Sequence, residues 1–462
     1  MSRRTASCSS AEERDRYHTL IRAHGAHAVS FLGLESGMRF FFDDGGVVAY
    51  ADTGRAWVAA GAPVAPPRDV PALARAFVEA ARAARRRASF FWVEGELLGE
   101  EFRLFTIGEQ PLLDRASWRA AKASHRRLRE QLRRARAKGV TARAVEPDEL
   151  AEGAPLRLEV ERLERAWLAA RPMPEMGFVA TVEPFVRPGE HRYLVAERAG
   201  QAVLFMSCVP IYARSGWLVE DVLRDSSTPN GTAELVFDRL FEDAVEGEVF
   251  TQGLSPLSGD VAPWLVATRY LTRPLYNFQG LRAFKGRLHP ARWERVSLAV
   301  PRGASPLLAI YDSLSAFARG SFTRFSLRLL GHDPGKMAWL LGVPLVLWTV
   351  ILALLVVVDD GHLLGWGRLP LFGWMIFDLL LALSMLRVAR APRWPALLLL
   401  TAFASCDAAL SILHLALRGL GSGALERSLR ALSAGAPMFG ALALAYASAS
   451  AARRATALRA ST

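Results

Sequence analysis

The stretch MAWLLGVPLVLWTVILALLVVV, Met337 to Val358, divides the chain in two. It is apolar almost without interruption. As a helix rising about 1.5 Å per residue it is long enough to cross a hydrocarbon core about 30 Å thick. Three further runs follow: Leu371–Val388, Pro395–Leu417 and Leu432–Ala451, the last rich in Ala, Ser and Gly. Small residues let helices approach closely in lipid, so the fourth run is kept as a span. Residues 337–462 are therefore expected to form a C-terminal bundle of about four transmembrane helices (337–358, 371–388, 395–417, 432–451).

The basic residues around these runs give an orientation. Arg319, Arg324, Arg328 and Lys336 precede the first span, whereas Asp359, Asp360 and only Arg368 follow it. Arg387, Arg390 and Arg393 follow the second, and Arg453, Arg454 and Arg459 close the chain. Arg418, Arg427 and Arg430 after the third are the one poor fit. The positive-inside rule then favours an even number of spans with both termini cytoplasmic. Asp378, Asp407 and His414 fall inside the spans, where ionisable groups are costly and either pair within the bundle or serve a function. Asp407 and His414, seven residues apart, share a helix face.

Before Met337 the composition is mixed and charged. A chain of 462 residues suggests two or three units. Mean hydropathy is +0.16, an average over two unlike parts. The net charge of +12 and pI of about 10.2 favour polyanions, either nucleic acid or an anionic membrane face. Cys8, Cys208 and Cys406 fit neither a disulfide framework nor a zinc site. His24 and His27 lack a second ligand pair, so no metal is expected. The N-terminus shows no apolar core of a secretory signal.

Within the charged part, Met38–Phe42, Val47–Tyr50 and Ala56–Ala60 read as strands, the first two joined by the turn Asp43–Gly46. Pro71–Arg87 reads as a helix, Ser89–Val93 as a buried strand, and Trp118–Lys138 as one long basic helix stopped by Gly139. The order then starts again. Leu156–Ala169 is helical, Tyr193–Ala199 and Gln201–Val209 are strands about Gly200, Gly216–Leu223 is a strand, Thr232–Val245 a helix and Val249–Leu254 a strand. Two successive α/β units of about 140 residues fit this order. The division is placed at 1–140 and 141–301, with an amphipathic, basic linker at 302–336.

Several stretches carry a resemblance. They are Trp57-Val58-Ala59-Ala60-Gly61-Ala62-Pro63-Val64, Phe105-Thr106-Ile107-Gly108-Glu109, Glu220-Asp221-Val222-Leu223-Arg224, Pro229-Asn230-Gly231, and Gly253-Leu254-Ser255-Pro256-Leu257-Ser258. The last runs from Leu275-Tyr276-Asn277-Phe278 to Phe284-Lys285, with Pro290 and Trp293 after it. In order and spacing, over roughly residues 25–297, they resemble the cytosolic domain of bacterial phosphatidylglycerol lysyl- and alanyltransferases, of the multiple peptide resistance factor type. The resemblance implies an α/β (α+β) fold of two tandem GCN5-related N-acetyltransferase-like units. It also implies transfer of lysine or alanine from aminoacyl-tRNA to the headgroup hydroxyl of phosphatidylglycerol or a related lipid, which alters surface charge and resistance to cationic peptides. The implied partners are an aminoacyl-tRNA donor, an anionic phospholipid acceptor and the membrane, with a homo-oligomer left open and no cofactor. The sequence departs from the family pattern in two ways. Ala62 stands where the family has Asp in Gly-Asp-Pro, and Gly286-Arg287 where it has a second Lys. The family's large membrane domain is N-terminal, whereas here a small one follows.

An aminoacyl ester is already activated, so positioning supplies much of the rate. The donor's ammonium calls for a carboxylate, and the developing oxyanion for a donor. Asp221 is expected to bind the ammonium or to orient Arg224, Arg224 to contact phosphate, and Tyr276 to donate to the reacting oxygen. Asn230, Gly231 and Glu234 at a helix start, Ser255 and Ser258 in a Pro-containing loop, and Lys285 and Arg287 complete the substrate-binding set, with Lys285 on phosphate. Arg126, Arg127, Arg133 and Arg134 belong to a run of about ten basic residues suited to tRNA or headgroup phosphate. Two other readings remain: an acyl-CoA N-acyltransferase, disfavoured by the lack of a Gly-rich pyrophosphate loop, and a membrane-tethered binding module without catalysis.

Overall fold

The computed structural model describes residues 10–95, 98–170, 176–225, 227–263, 265–266, 269, 278–320, 334–359, 368–419 and 424–460. They fall into two compact units that divide between Phe322 and Thr323.

The first unit is built on one twelve-stranded sheet. Its N-terminal half contributes β1 (Arg39–Asp43), β2 (Gly46–Asp52), β3 (Ala56–Ala60), β4 (Arg87–Val93) and β5 (Phe102–Asp114). Its C-terminal half contributes β6 (Val140–Val145), β7 (Arg192–Arg198), β8 (Gln201–Ile211), β9 (Gly216–Arg224), β10 (Val249–Thr251), the two-residue β11 (Ser255–Pro256) and β12 (Arg292–Pro301). The spatial order is β1-β2-β3-β4-β12-β5-β10-β9-β8-β7-β6, with β11 on β5. From either edge the same pattern runs inward. An antiparallel meander ends in a parallel pair joined by a crossover helix: β3 with β4 over α2 (Val70–Ala83), and β9 with β10 over α6 (Thr232–Asp243). Each pair is then completed by a strand from the other half. β12 lies against β4 and β5 against β10, and these two strands pair along their whole length at the centre. The α/β fold is thus two similar halves that share one sheet and exchange strands.

Local sequence explains most elements. Asp44 and Gly45, at φ 31° and 82°, form the two-residue hairpin between β1 and β2. Each crossover helix buries an aromatic face on the sheet. Phe77 of α2 meets Tyr50, Trp57 and Phe90 at ring separations of 5.4, 5.7 and 5.4 Å. Phe241 of α6 meets Trp118 and Phe250 at 5.2 and 5.3 Å.

The expected helix Trp118–Lys138 is two helices, α3 (Arg115–Ser124) and α4 (Arg126–Ala137), broken at His125 with φ −96° and ψ 102°. Asp114 starts α3 early through a capping box with Ser117. Arg129 ends it by donating from Nη1 to the carbonyls of Lys122 and Ala123 at 2.9 and 2.6 Å. The polar run Ser124–Arg127 has no apolar side chain with which to carry a buried stripe across the break. Further helices among the described residues of this unit include α1 (Ala11–His24), α5 (Pro155–Ala170), α7 (Phe278–Gly286) and α8 (Pro306–Phe317). The first unit thus extends past Pro301. Within the stretch expected as linker, α8 is held to β4 by Arg87, which donates to both oxygens of the buried Asp312 at 2.7 and 2.6 Å.

The second unit contains α9 (Pro334–Asp359), α10 (Arg368–Arg390), α11 (Trp394–Arg418) and α12 (Ala424–Ala460). All four are long and apolar enough to cross a membrane, with mean hydropathy from 2.3 in the first span to 1.3 in the Ala-rich fourth. Only 28–39% of each span is buried. The rest, including Leu354, Phe372, Leu399 and Leu442, faces outward as lipid-facing helices do.

Candidate active site: an acidic cavity beside a basic groove

β9 and β10 pair for three residues only, Gly216–Leu218 with Val249–Thr251. β9 then runs on to Arg224 while β10 stops, so the expected strand Val249–Leu254 is cut short. The gap opens a cavity of about 270 Å³. The β9 segment Leu218–Val222 lines it on one side, and Gln252, Gly253 and Lys285 on the other. Two backbone features shape its wall. Trp92 sits at φ 67° where β4 and β12 slip register. Gly253 packs on the Trp92 ring, where a Cβ would come within 2.8 Å.

A bulge places the acids. Ser207 faces Asp221 and Cys208 faces Val219, leaving Glu220 as an extra residue. The bulge breaks the strict alternation of β9, and both Glu220 and Asp221 line the cavity. Glu35, which follows the turn Phe31–Leu34, supplies a third carboxyl and is 3% exposed. It accepts a long bond from the backbone N–H of Thr181 at 3.4 Å, and its Oε1 has no partner. Burial, then the charge of Glu220, holds Glu35 well above the ordinary carboxylate range. Burial, then Asp221 and Glu183, does the same to Glu220, whose Oε2 is enclosed without a partner. Enclosed carboxyls held above their ordinary range gain most from a ligand that brings a positive charge.

Lys285 does not supply it. Its Nζ donates to the carbonyls of Gln252, Gly253 and Leu254 at 2.7, 2.8 and 3.0 Å, closing the frayed end of β10. Burial brings its pKa down to about 7. An ammonium with three donors spent in this way has none left for phosphate, which corrects the role expected for Lys285. Lys285→Met, which keeps the stem but orphans the three carbonyls, is expected to lower stability by about 2–4 kcal/mol, measured as thermal unfolding of the detergent-solubilised chain.

A groove of about 490 Å³ runs beside the cavity. His125, Arg126 and Arg127 at the start of α4, Glu234 on α6, and Arg287 and His289 beyond α7 line it. The rings of His125 and His289 stack at 3.8 Å, and burial, then the His125 charge, lowers the His289 pKa. Gly231 allows α6 to begin here. At φ 93°, its Cβ would lie 2.3 Å from the Gln131 carbonyl oxygen. Gly231→Ala is therefore expected to cost roughly 2–4 kcal/mol from left-handed strain and backbone clash together, read from the same unfolding measurement.

The groove and the cavity share a wall. On α6, Glu234 faces the groove and Phe237 the cavity. On α7, Ala283 and Gly286 face the groove while Phe284 and Lys285 face the cavity. Of the basic run, Lys122 and Arg136 donate to the buried Asp238 at 2.6 and 2.9 Å, and Trp118 joins them at 3.0 Å. Burial pushes Asp238 up, and these hydrogen bonds outweigh it and leave its pKa lowered. Arg126 and Arg134 pair with Glu130 at 2.9 and 3.6 Å. Arg119, Arg127 and Arg133 are exposed with no acidic partner among the described residues.

The other expected residues are dispersed. Arg224 is exposed at the end of β9 and lines neither hollow, so it is not brought into the cavity with Asp221. Asn230 is exposed. Ser255 is fully buried in β11. Ser258 donates to the Ser255 carbonyl at 2.7 Å and lines a separate hollow with Arg269 and Arg282. Tyr276 lies outside the described residues. Sequence reasoning missed Glu35, whose only local signal is a lone acid closing the apolar run Val29–Leu34.

Comparison with known proteins agrees with this architecture. A family model described as phosphatidylglycerol lysyltransferase, C-terminal, matches residues 18–300. The phosphatidylglycerol lysyltransferase of Bacillus subtilis is 24% identical over 325 residues, which cover 66% of this chain and 37% of that protein. The chain thus spans well under half of that relative's length. Among solved structures, the C-terminal domain of a candidate lysylphosphatidylglycerol synthetase from Agrobacterium fabrum is 26% identical, with a TM-score of 0.59, covering 68% of this chain and 99% of that one. L-PGS from Bacillus licheniformis shares the fold at 22% identity and a TM-score of 0.55, covering 66% of this chain and 96% of that one.

Proposed function

The chain belongs to the family of phosphatidylglycerol lysyltransferase C-terminal domains, and from that premise we propose that it transfers a lysyl group from aminoacyl-tRNA to a headgroup hydroxyl of phosphatidylglycerol. The observation that carries this reading is the enclosure of Glu35, Glu220 and Asp221 in one cavity at the β9/β10 gap. A lysyl ester brings two ammonium groups to that enclosure and an alanyl ester one, so the carboxyls favour lysine. The groove takes tRNA phosphate on Arg126, Arg127 and Arg287, and the shared wall of α6 and α7 sets the ester beside it.

In the reaction the lipid hydroxyl attacks the ester carbonyl, a new ester bond forms, and the bond to the tRNA ribose breaks. The hydroxyl proton leaves with the ribose oxygen, so no net proton is consumed. Past Leu218 β9 no longer pairs with β10 and lines the cavity, so that backbone there is available to a developing oxyanion. Asp221 holds the donor's ammonium and Glu35 and Glu220 the side-chain ammonium. The helical unit holds the chain in the membrane that contains the acceptor, with both termini cytoplasmic in a bacterial inner membrane.

The test is lipid mass spectrometry on a bacterium that lacks aminoacylated lipids and expresses the full chain. A species at phosphatidylglycerol plus lysyl supports the proposal. Phosphatidylglycerol plus alanyl overturns the choice of lysine. No new lipid, with membrane expression verified, overturns the transfer.

A further inference from the structure

Two carboxylates in the helical unit have no role in the transfer chemistry. Asp378 on α10 and Asp407 on α11 are each 2% exposed, and each has an Oδ1 without a partner. Both line one cavity of about 580 Å³, together with Ser411 and His414 from the same helix as Asp407. Asp407, Ser411 and His414 lie at spacings of four and three, which stacks them along one face. The other walls are mainly apolar, with Leu345, Leu381 and Phe439 among them, and two indoles, Trp348 and Trp374, face in.

This combination restricts the occupant. Two carboxylates enclosed in a low-dielectric bundle repel each other and are each costly to charge, and a cation between them relieves both terms. A proton or bare metal ion would leave most of the volume empty. The apolar walls suit a hydrocarbon body, and tryptophan faces are the strongest aromatic partners for an ammonium. We propose that the cavity enclosed by α9, α10, α11 and α12 is a binding site for an organic ammonium carried on an apolar body, with Asp378 and Asp407 as its counter-ions. Such a ligand could come from the bilayer, as a lipid with an amino headgroup, or from solution, as an amphiphilic amine. The site does not depend on the transfer reaction.

The experiment uses the full chain in nanodiscs and radiolabelled dodecylamine, with binding to empty nanodiscs subtracted. One saturable site per chain is expected, displaced by excess dodecylamine but not by dodecanol or dodecyl sulfate. The double variant Asp378→Asn/Asp407→Asn is expected to bind at least tenfold more weakly. Neutral asparagines are easier to bury than carboxylates, so the variant should retain the wild-type elution profile. Leu345→Trp fills the cavity while leaving both acids, and it should lose binding as well. Glu35→Gln should leave binding unchanged. Displacement by lysyl-phosphatidylglycerol or by phosphatidylethanolamine would identify a lipid ligand, and displacement by neither a soluble amine. Equal competition by dodecanol, or wild-type affinity in the double variant, would overturn the proposal.

Discussion

Replacing Glu35 by glutamine is expected to cut kcat/KM for a lysyl-tRNA donor about 100-fold, or about 2.7 kcal/mol, while changing an alanyl donor little. The substitution keeps the side-chain volume and removes a charge that would be desolvated and matched only when the second ammonium enters. Stability should hold or rise, because an enclosed carboxyl with an unsatisfied oxygen is replaced by a neutral amide. The pH profile gives a second readout. Burial and Glu220 raise the Glu35 pKa, so the charged form that binds an ammonium appears only as pH climbs above the ordinary carboxylate range. kcat/KM should therefore rise with pH through that raised value. Stability should move the other way. Between the unfolded and folded pKa values the native state holds the extra proton, so this contribution is full at low pH and is lost as pH rises through the folded pKa. Glu35→Gln should remove its share of both limbs. Equal losses for lysyl and alanyl donors, or an unchanged profile, would show that Glu35 shapes the cavity without selecting charge.

What could be seen in the sequence follows from how local its causes are. The four spans stand out because a run such as Met337–Val358 carries its own reason for being a helix in lipid. The β1–β2 hairpin stands out because its turn residues and strands lie within a few positions of each other. The α2 and α6 crossovers do so because each helix carries its own apolar face, Leu73, Ala74, Phe77 and Ala81 in one and Val236, Phe237, Leu240 and Phe241 in the other. The exchange of β12 and β5 is hidden, since it depends on pairing between residues such as Leu298 and Phe105, far apart in the chain. The site divides in the same way. Asp221 is singled out by the resemblance that Glu220–Arg224 carries, whereas Glu35 lines the same cavity from 186 positions earlier and only burial makes it matter. Lys285 looked like a free cation because its three carbonyl partners come from a strand that stops sooner than its sequence suggests. The basic run of about ten residues suits a polyanion, yet Lys122, Arg129 and Arg136 make hydrogen bonds within the protein.

That last point gives the second large effect. If the groove holds tRNA phosphate, Arg127→Ala with Arg287→Ala should raise KM for aminoacyl-tRNA about tenfold or more at moderate salt and leave kcat nearly unchanged. Each lost phosphate contact should also flatten the dependence of log affinity on log salt by about 0.7–0.9. Both arginines line the groove, and neither is held by an acid among the described residues. Arg287 lies over the Phe284 ring at 5.2 Å, which orders its side chain without using up its donors. Arg133 and Arg119 are the control pair. They belong to the same run and are exposed, but lie outside the groove. Arg119→Ala with Arg133→Ala should change the slope less if the phosphate has a defined seat. Were the two pairs to weaken binding equally, the attraction would come from the summed field of α3 and α4, and the groove would not position the donor. Arg136→Ala is expected to act through a different route, because it uncovers the buried Asp238 and so lowers the unfolding temperature before it changes any salt slope.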